Sequence, residues 1–110
     1  MDKKSREVVF SLELVTDIEN IFNYGLETFG LRAAESFLDD LIYRVENLDT
    51  NYDLYPECLH LKTKIREYRN FTIGSYLVVY RISLNRIEVL RAFHSSRSIS
   101  SLKSARNVKP

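Results

Sequence analysis

The sequence has little of what staples, kinks or spans: one cysteine, two prolines, three glycines and no tryptophan in 110 residues. With Cys58 alone, no internal disulfide can form, and Cys58 with His60 and His94 falls short of a structural zinc set. A reducing cytoplasm is therefore the expected location, and neither a metal nor any other cofactor is expected. The chain also lacks a glycine-rich phosphate loop and a paired-histidine metal motif. No apolar run approaches the ~20 residues that cross a bilayer, and the charged start, Met1 to Arg6, has no apolar secretion segment. A soluble protein with no membrane partner is expected.

What is present is an ordinary globular balance, with 45% apolar and 28% charged residues, enough for one domain and one core. The formal net charge of +1 conceals a polarised chain. Residues 1–61 carry five Lys/Arg against thirteen Asp/Glu, and residues 62–110 carry eleven against two. Clustered cations of this kind point to an anionic partner, or to neutralisation of one half by the other within the fold.

Arg6 to Phe10 predicts a short strand, and Ser11 a helix N-cap. Leu14, Ile18, Ile21, Phe22 and Leu26 recur at helical spacing up to about Phe29, with Glu13, Asp17, Glu19 and Glu27 on the wet side. Gly30 breaks the pattern and suits a tight turn. Ala34, Phe37, Leu38, Leu41, Ile42, Val45 and Leu48 then repeat the period, so the two helices form an antiparallel hairpin. Asp49 to Lys64 has no period and reads as a crossing loop. Three strands follow: Arg66 to Ile73, Tyr76 to Ile82 after a Gly74-Ser75 turn, and Arg86 to Phe93 after a turn at Leu84-Asn85. In the last, Ile87, Val89 and Phe93 alternate against Glu88, Leu90 and Ala92. The order β-α-α-β-β-β is α+β: a helical hairpin on one face of a small, mainly antiparallel sheet, with the other face left for binding. Residues 1–97 make the single domain, and 98–110 a basic, serine-containing tail that orders on a partner.

The candidate binding residues are the cations on the strands and their ends: Lys62, Lys64, Arg66, Arg69, Arg81, Arg91 and Arg97. Arginine forks match phosphates and the carboxylates of an acidic peptide alike. Taken singly, each also suits an ion pair with Glu67 or Glu88. His94 and Arg97 lie within one turn after the last strand, so an imidazole acid or base and a guanidinium are available for phosphodiester cleavage. His60 and Cys58 have no activating partner in the sequence. Tyr68, Tyr76 and Tyr80 suit either base stacking or sheet packing.

These elements together resemble the RelE/ParE superfamily of toxins from type II toxin–antitoxin, or plasmid stabilisation, systems, over roughly Val8 to Arg97. The resemblance is carried by Asp17-Ile18-Glu19-Asn20-Ile21 through Tyr24, by Glu27-Thr28-Phe29-Gly30 with Ala34, and by Glu67-Tyr68-Arg69-Asn70-Phe71. It continues through Ile73-Gly74-Ser75-Tyr76-Leu77-Val78-Val79-Tyr80-Arg81-Ile82 and Ile87-Glu88-Val89-Leu90-Arg91-Ala92-Phe93-His94-Ser95-Ser96-Arg97. It implies a growth-inhibiting toxin, a cognate antitoxin and a hetero-oligomer of the two. RelE-like members cut messenger RNA on the ribosome, whereas ParE-like members act on DNA gyrase. Where the ribonuclease branch has cations, this sequence has Tyr68, Asn70 and Leu77. Only Arg97 matches a late arginine, and no tyrosine follows Tyr80. Loss of several members of one electrostatic constellation costs orders of magnitude in rate. The resemblance thus implies the ParE branch and a gyrase-binding inhibitor, although Ser98 stands where that branch commonly has Asp. The alternatives are a ribosome-dependent endoribonuclease using His94 and Arg97, and a module that binds an antitoxin without toxicity.

Overall fold

A computed structural model of the chain describes residues 5–97 and 99–110. It contains β1 (Glu7–Phe10), α1 (Leu12–Phe29), α2 (Leu31–Glu46), a short α3 (Leu48–Asn51), β2 (Tyr68–Ile73), β3 (Tyr76–Ile82) and β4 (Arg86–His94). A short α4 (Ile99–Lys103) and a 3-10 turn (Ser104–Asn107) close it. The strands form one sheet in the order β1-β4-β3-β2. β1 runs parallel to β4, and the other pairs are antiparallel. The class is α+β, as the periodicity predicts.

Ser11 shows how local chemistry fixes the first joint. Its hydroxyl accepts the Leu14 amide at 2.8 Å, capping α1, and donates to the Leu90 carbonyl at 2.7 Å, tying that cap to β4. The hairpin turns at Gly30, whose φ of 92° is open to glycine and costly for other residues. Leu14 and Ile21 of α1 and Leu41 and Val45 of α2 then pack on Phe71, Val78, Tyr80, Ile87 and Val89. Burying one such aliphatic side chain is worth ~1.5–3 kcal/mol. Leu26, placed by periodicity on this apolar stripe, is instead exposed near the hairpin tip, beyond the reach of the sheet.

Three further details depart from the periodicity. Leu48 begins α3, a separate turn after Asn47, rather than extending α2. β2 starts at Tyr68, because Arg66 adopts a left-handed φ of 55° that breaks strand geometry. Between β3 and β4 the register slips after Val79, so that Val79 faces Arg91 while Tyr80 faces Val89. The extra residue on β4 is a bulge, and it resets the alternation. Ile87, Val89 and Ala92 therefore share the helix-side core, while Leu90 and Phe93 fall on the other face.

That other face is largely closed, contrary to the expectation of an open one. Tyr68, Val79, Leu90 and Phe93 form a second core with Cys58 and Leu61 from the crossing segment and Ala105 and Val108 from the end of the chain. Strands apolar at both phases need cover on both faces, and these two segments supply it. The crossing segment also guards the β2 edge: the Cys58 amide donates to the Tyr68 carbonyl at 2.8 Å, and the Asn70 amide to the Pro56 carbonyl at 3.1 Å.

Candidate functional site

The β4 bulge is held by one carboxylate. Asp17 accepts two hydrogen bonds from the Arg91 guanidinium, at 2.7 and 2.9 Å, and a third from the Ala92 amide at 2.9 Å. This forked pair draws Arg91 toward α1 and leaves its guanidinium 4.7 Å from the centre of the Phe93 ring. The Asp17 hydrogen bonds raise the Arg91 pKa above its usual value against the effect of burial. Helical spacing puts Asp17 on the wet side of α1, whereas it is half-buried here. Nothing in the period of a helix reveals which wet-edge carboxylate meets a bulge.

Beyond the bulge, β4 delivers His94 to the rim of the sheet. The Ser96 amide donates to His94 Nδ1 at 3.1 Å, and the Ser96 hydroxyl lies 2.8 Å from the same nitrogen. A backbone N–H can only donate, so in the neutral ring Nδ1 is the acceptor and the proton resides on Nε2. The exposed nitrogen of His94 is consequently a hydrogen-bond donor. The ring meets Tyr76 edge to face at 5.4 Å, and Tyr76 meets Phe37 of α2 at 5.6 Å. Burial pushes the Tyr76 phenol up, with Tyr24 adding to the shift.

Two concavities meet at this histidine. A groove of about 300 Å³ lies between the helical hairpin and the β2–β3 turn, lined by apolar side chains including Ile21, Phe22, Phe29, Phe37 and Leu38. Gly25 and Ala34 face each other where the two helices pack at its floor, a Cβ at Gly25 standing in ordinary contact, 3.6 Å, with the Ala34 methyl. At the mouth, Tyr24 and Phe29 stack edge to face at 6.5 Å while remaining 56% and 70% exposed. A polar cleft of about 390 Å³ shares Tyr24, Tyr76 and His94 with the groove, and is otherwise lined by residues including Asp17, Asn20, Arg91, Ser96 and Arg97. An apolar slot beside a charged cleft suits an amphipathic partner rather than a small polar substrate.

The seven cations predicted as a continuous surface are dispersed. Lys62 and Lys64 are exposed on the crossing segment. Arg66 lies 3.5 Å from Glu57, and Arg69 donates to the carbonyls of Arg66 and Tyr55, both at 2.9 Å. These two line a hollow with Arg6 and Ser83 at the β3–β4 turn, the end of the sheet opposite His94. Arg81 and Arg86 both bind the buried Glu88. Burial alone would raise the Glu88 pKa, but hydrogen bonds from the two arginines hold it below the usual carboxylate value. Burial likewise opposes the Arg81 charge, and hydrogen bonds to Tyr68 and Glu88 push its pKa up regardless. Arg91 is committed to Asp17. Only Arg97 adjoins His94, its amide donating to the His94 carbonyl at 2.9 Å in the turn that follows β4. Ser98 lies outside the described residues.

Two buried groups, Cys58 and Tyr80, are held in their neutral forms. Burial pushes the Cys58 thiol up and keeps it from acting as a nucleophile. Burial also raises the Tyr80 phenol, which donates to the Tyr52 carbonyl at 2.7 Å. Among the described residues, no group of three metal-ligating side chains converges, and no helix is long and apolar enough to cross a membrane. An apolar groove beside the hairpin is what an amphipathic antitoxin tail calls for, but helical period does not single out its rim residues, the exposed Tyr24 and Phe29.

Comparison with known proteins bears on this geometry directly. A family model described as the ParE toxin of type II toxin–antitoxin system, parDE, matches residues 8–99. A search of curated protein sequences returned no match. Among solved structures, the fold is similar to a chain of the chromosomal ParDE toxin–antitoxin system from P. aeruginosa, with a TM-score of 0.68 and 14% identity over 84% of this chain and 98% of that one. It is also similar to a chain of the toxin–antitoxin complex RelBE2 from Mycobacterium tuberculosis, with a TM-score of 0.57 and 16% identity over 82% and 98%. At such identities the structural likeness establishes the fold alone, and the family model assigns the family.

Proposed function

The chain belongs to the ParE toxin family of type II toxin–antitoxin systems, and from that premise we propose that it arrests growth by binding DNA gyrase in the cytoplasm. The observation that carries this reading is the state of the positions where a messenger-RNA-cutting relative has cations. Tyr68 is buried in the second core, Leu77 packs against it, and the third position is Asn70. None of these three positions carries a cation. His94 is no better suited to cleavage. In its neutral form the exposed nitrogen carries the proton and Nδ1 is occupied by Ser96, so neither nitrogen is free to take a proton from a ribose hydroxyl. A toxin without these groups acts by binding.

A cognate antitoxin neutralises it by seating apolar side chains in the groove beside Tyr24, Phe29 and Phe37, giving a toxin–antitoxin hetero-oligomer. The test is plasmid supercoiling by purified gyrase. Added protein is expected to stop supercoiling and to trap cleaved plasmid. Uninhibited gyrase together with shortened messenger RNA on ribosomes refutes the reading in favour of the ribonuclease. Normal growth on expression without an antitoxin points instead to a binding module that poisons nothing.

A further inference from the structure

A third concavity, of about 270 Å³, opens at the same strand ends but on the side of the second core. His60 reaches it from the crossing segment, Asn70 from β2, and His94, Ser95 and Arg97 from the end of β4. Its apolar wall is Cys58, Leu59, Leu77, Phe93 and Leu102. Both histidines of the chain and its one rim arginine thus converge on a pocket that, among the described residues, is lined by no carboxylate. The Arg97 guanidinium and the His60 ring engage no hydrogen-bond or ion-pair partner among those residues, in contrast to Arg81, Arg86 and Arg91. His94 contributes a fixed donor, because the Ser96 amide holds its other nitrogen as acceptor. A guanidinium and an imidazole N–H over an apolar wall, with no carboxylate among the described lining residues, describe a site for an anion attached to something greasy.

Two macromolecules present such an anion, and the aromatic groups separate them. Nucleic acid bound in single strands is gripped by stacking bases on exposed aromatic faces. Phe93, the pocket's only non-histidine aromatic among the described residues, is 4% exposed and packed in the second core. The rest of the apolar wall is three leucines and Cys58, which suits aliphatic side chains. We propose that this pocket binds an acidic, leucine-bearing peptide segment of a protein partner, its carboxylate held by Arg97 and by the Nε2–H of His94. The proposal rests on the function above only in that a protein partner supplies the segment.

The experiment is a nuclear magnetic resonance titration of the full chain with acetyl-Leu-Glu-Leu-amide. The parallel probes are acetyl-Leu-Gln-Leu-amide, inorganic phosphate and oligothymidylate. The acidic peptide is expected to give saturable shifts at the His60 and His94 rings and the Ser95 amide. The Gln peptide should bind at least tenfold more weakly, as should the acidic peptide to Arg97→Gln, the loss expected for one charge-assisted hydrogen bond. Arg97 is exposed, so that variant keeps the wild-type spectrum elsewhere, and Arg66→Gln, also exposed, serves as a control at the far end of the sheet. Equal binding of phosphate and the acidic peptide overturns the proposal, as does tighter binding of oligothymidylate or no saturable shift with any probe. The titration uses neither gyrase nor toxicity, so its failure leaves the gyrase reading standing, and failure of the gyrase assay leaves the pocket to be judged on its own.

Discussion

Asp17→Ala should destabilise the chain by about 3 kcal/mol, since breaking a fully buried ion pair costs ~3–5 kcal/mol. Partial exposure reduces that figure: the Arg91 side chain is 24% exposed and Asp17 11%, so water recovers part of the guanidinium's solvation. The Ala92 amide also loses its acceptor, at roughly 1 kcal/mol. The chain has seven tyrosines and no tryptophan, so tyrosine fluorescence or circular dichroism reports unfolding in urea. With a slope of ~1.5 kcal/mol/M, the midpoint falls by roughly 2 M at unchanged slope. Asp17→Asn keeps one acceptor oxygen and should lose about half as much. If Asp17→Ala unfolds within ~0.5 kcal/mol of the parent, inside the ordinary range for surface substitutions, Asp17 does not hold the bulge.

Glu88 predicts an acid-side loss of stability. Its pKa is lowered in the fold from an ordinary 4.5, so below that value the unfolded chain binds more protons. Its contribution is complete above pH 4.5 and disappears as pH falls through the folded value. Urea midpoints across acid pH should lose part of that slope in Glu88→Gln, and an unchanged slope contradicts the pairing with Arg81 and Arg86. Gly74→Ala should cost about 1–2 kcal/mol, because left-handed backbone disfavours a Cβ. The φ there is 56°, and the new carbon would stand 3.1 Å from the Phe37 ring; a neutral thermal shift refutes the strain. Cys58 should react with Ellman's reagent only as fast as the chain opens, and a native rate equal to that in urea contradicts its burial.

Much of the fold was legible because it follows from period. Leu14, Ile21, Leu41 and Val45 recur as a helix requires and face the sheet, and Gly30 and Gly74 mark turns where φ is positive. What period cannot show is a change of phase. The bulge in β4 carries Ala92 to one core and Phe93 to the other, and no local sequence signal marks it. The second core was hidden for a related reason: Cys58, Leu61, Ala105 and Val108 come from segments too short or irregular to display a period, and only the fold brings them together. At the site, His94 and Arg97 were legible as neighbours after a strand. The pairing of Arg91 with Asp17, 74 residues apart in the chain, was not. That pairing and the contact of Arg66 with Glu57 join cations of the second half to carboxylates of the first, while Glu88 between Arg81 and Arg86 is neutralised within the second half itself.

Purified gyrase offers the decisive reading. Titrated into gyrase with relaxed plasmid and ATP, the chain should block supercoiling and leave plasmid linearised on protein denaturation, with no change in messenger RNA on ribosomes treated in parallel. Supercoiling that proceeds at the uninhibited rate, with messenger RNA cut on those ribosomes, would contradict binding of gyrase as the toxic act.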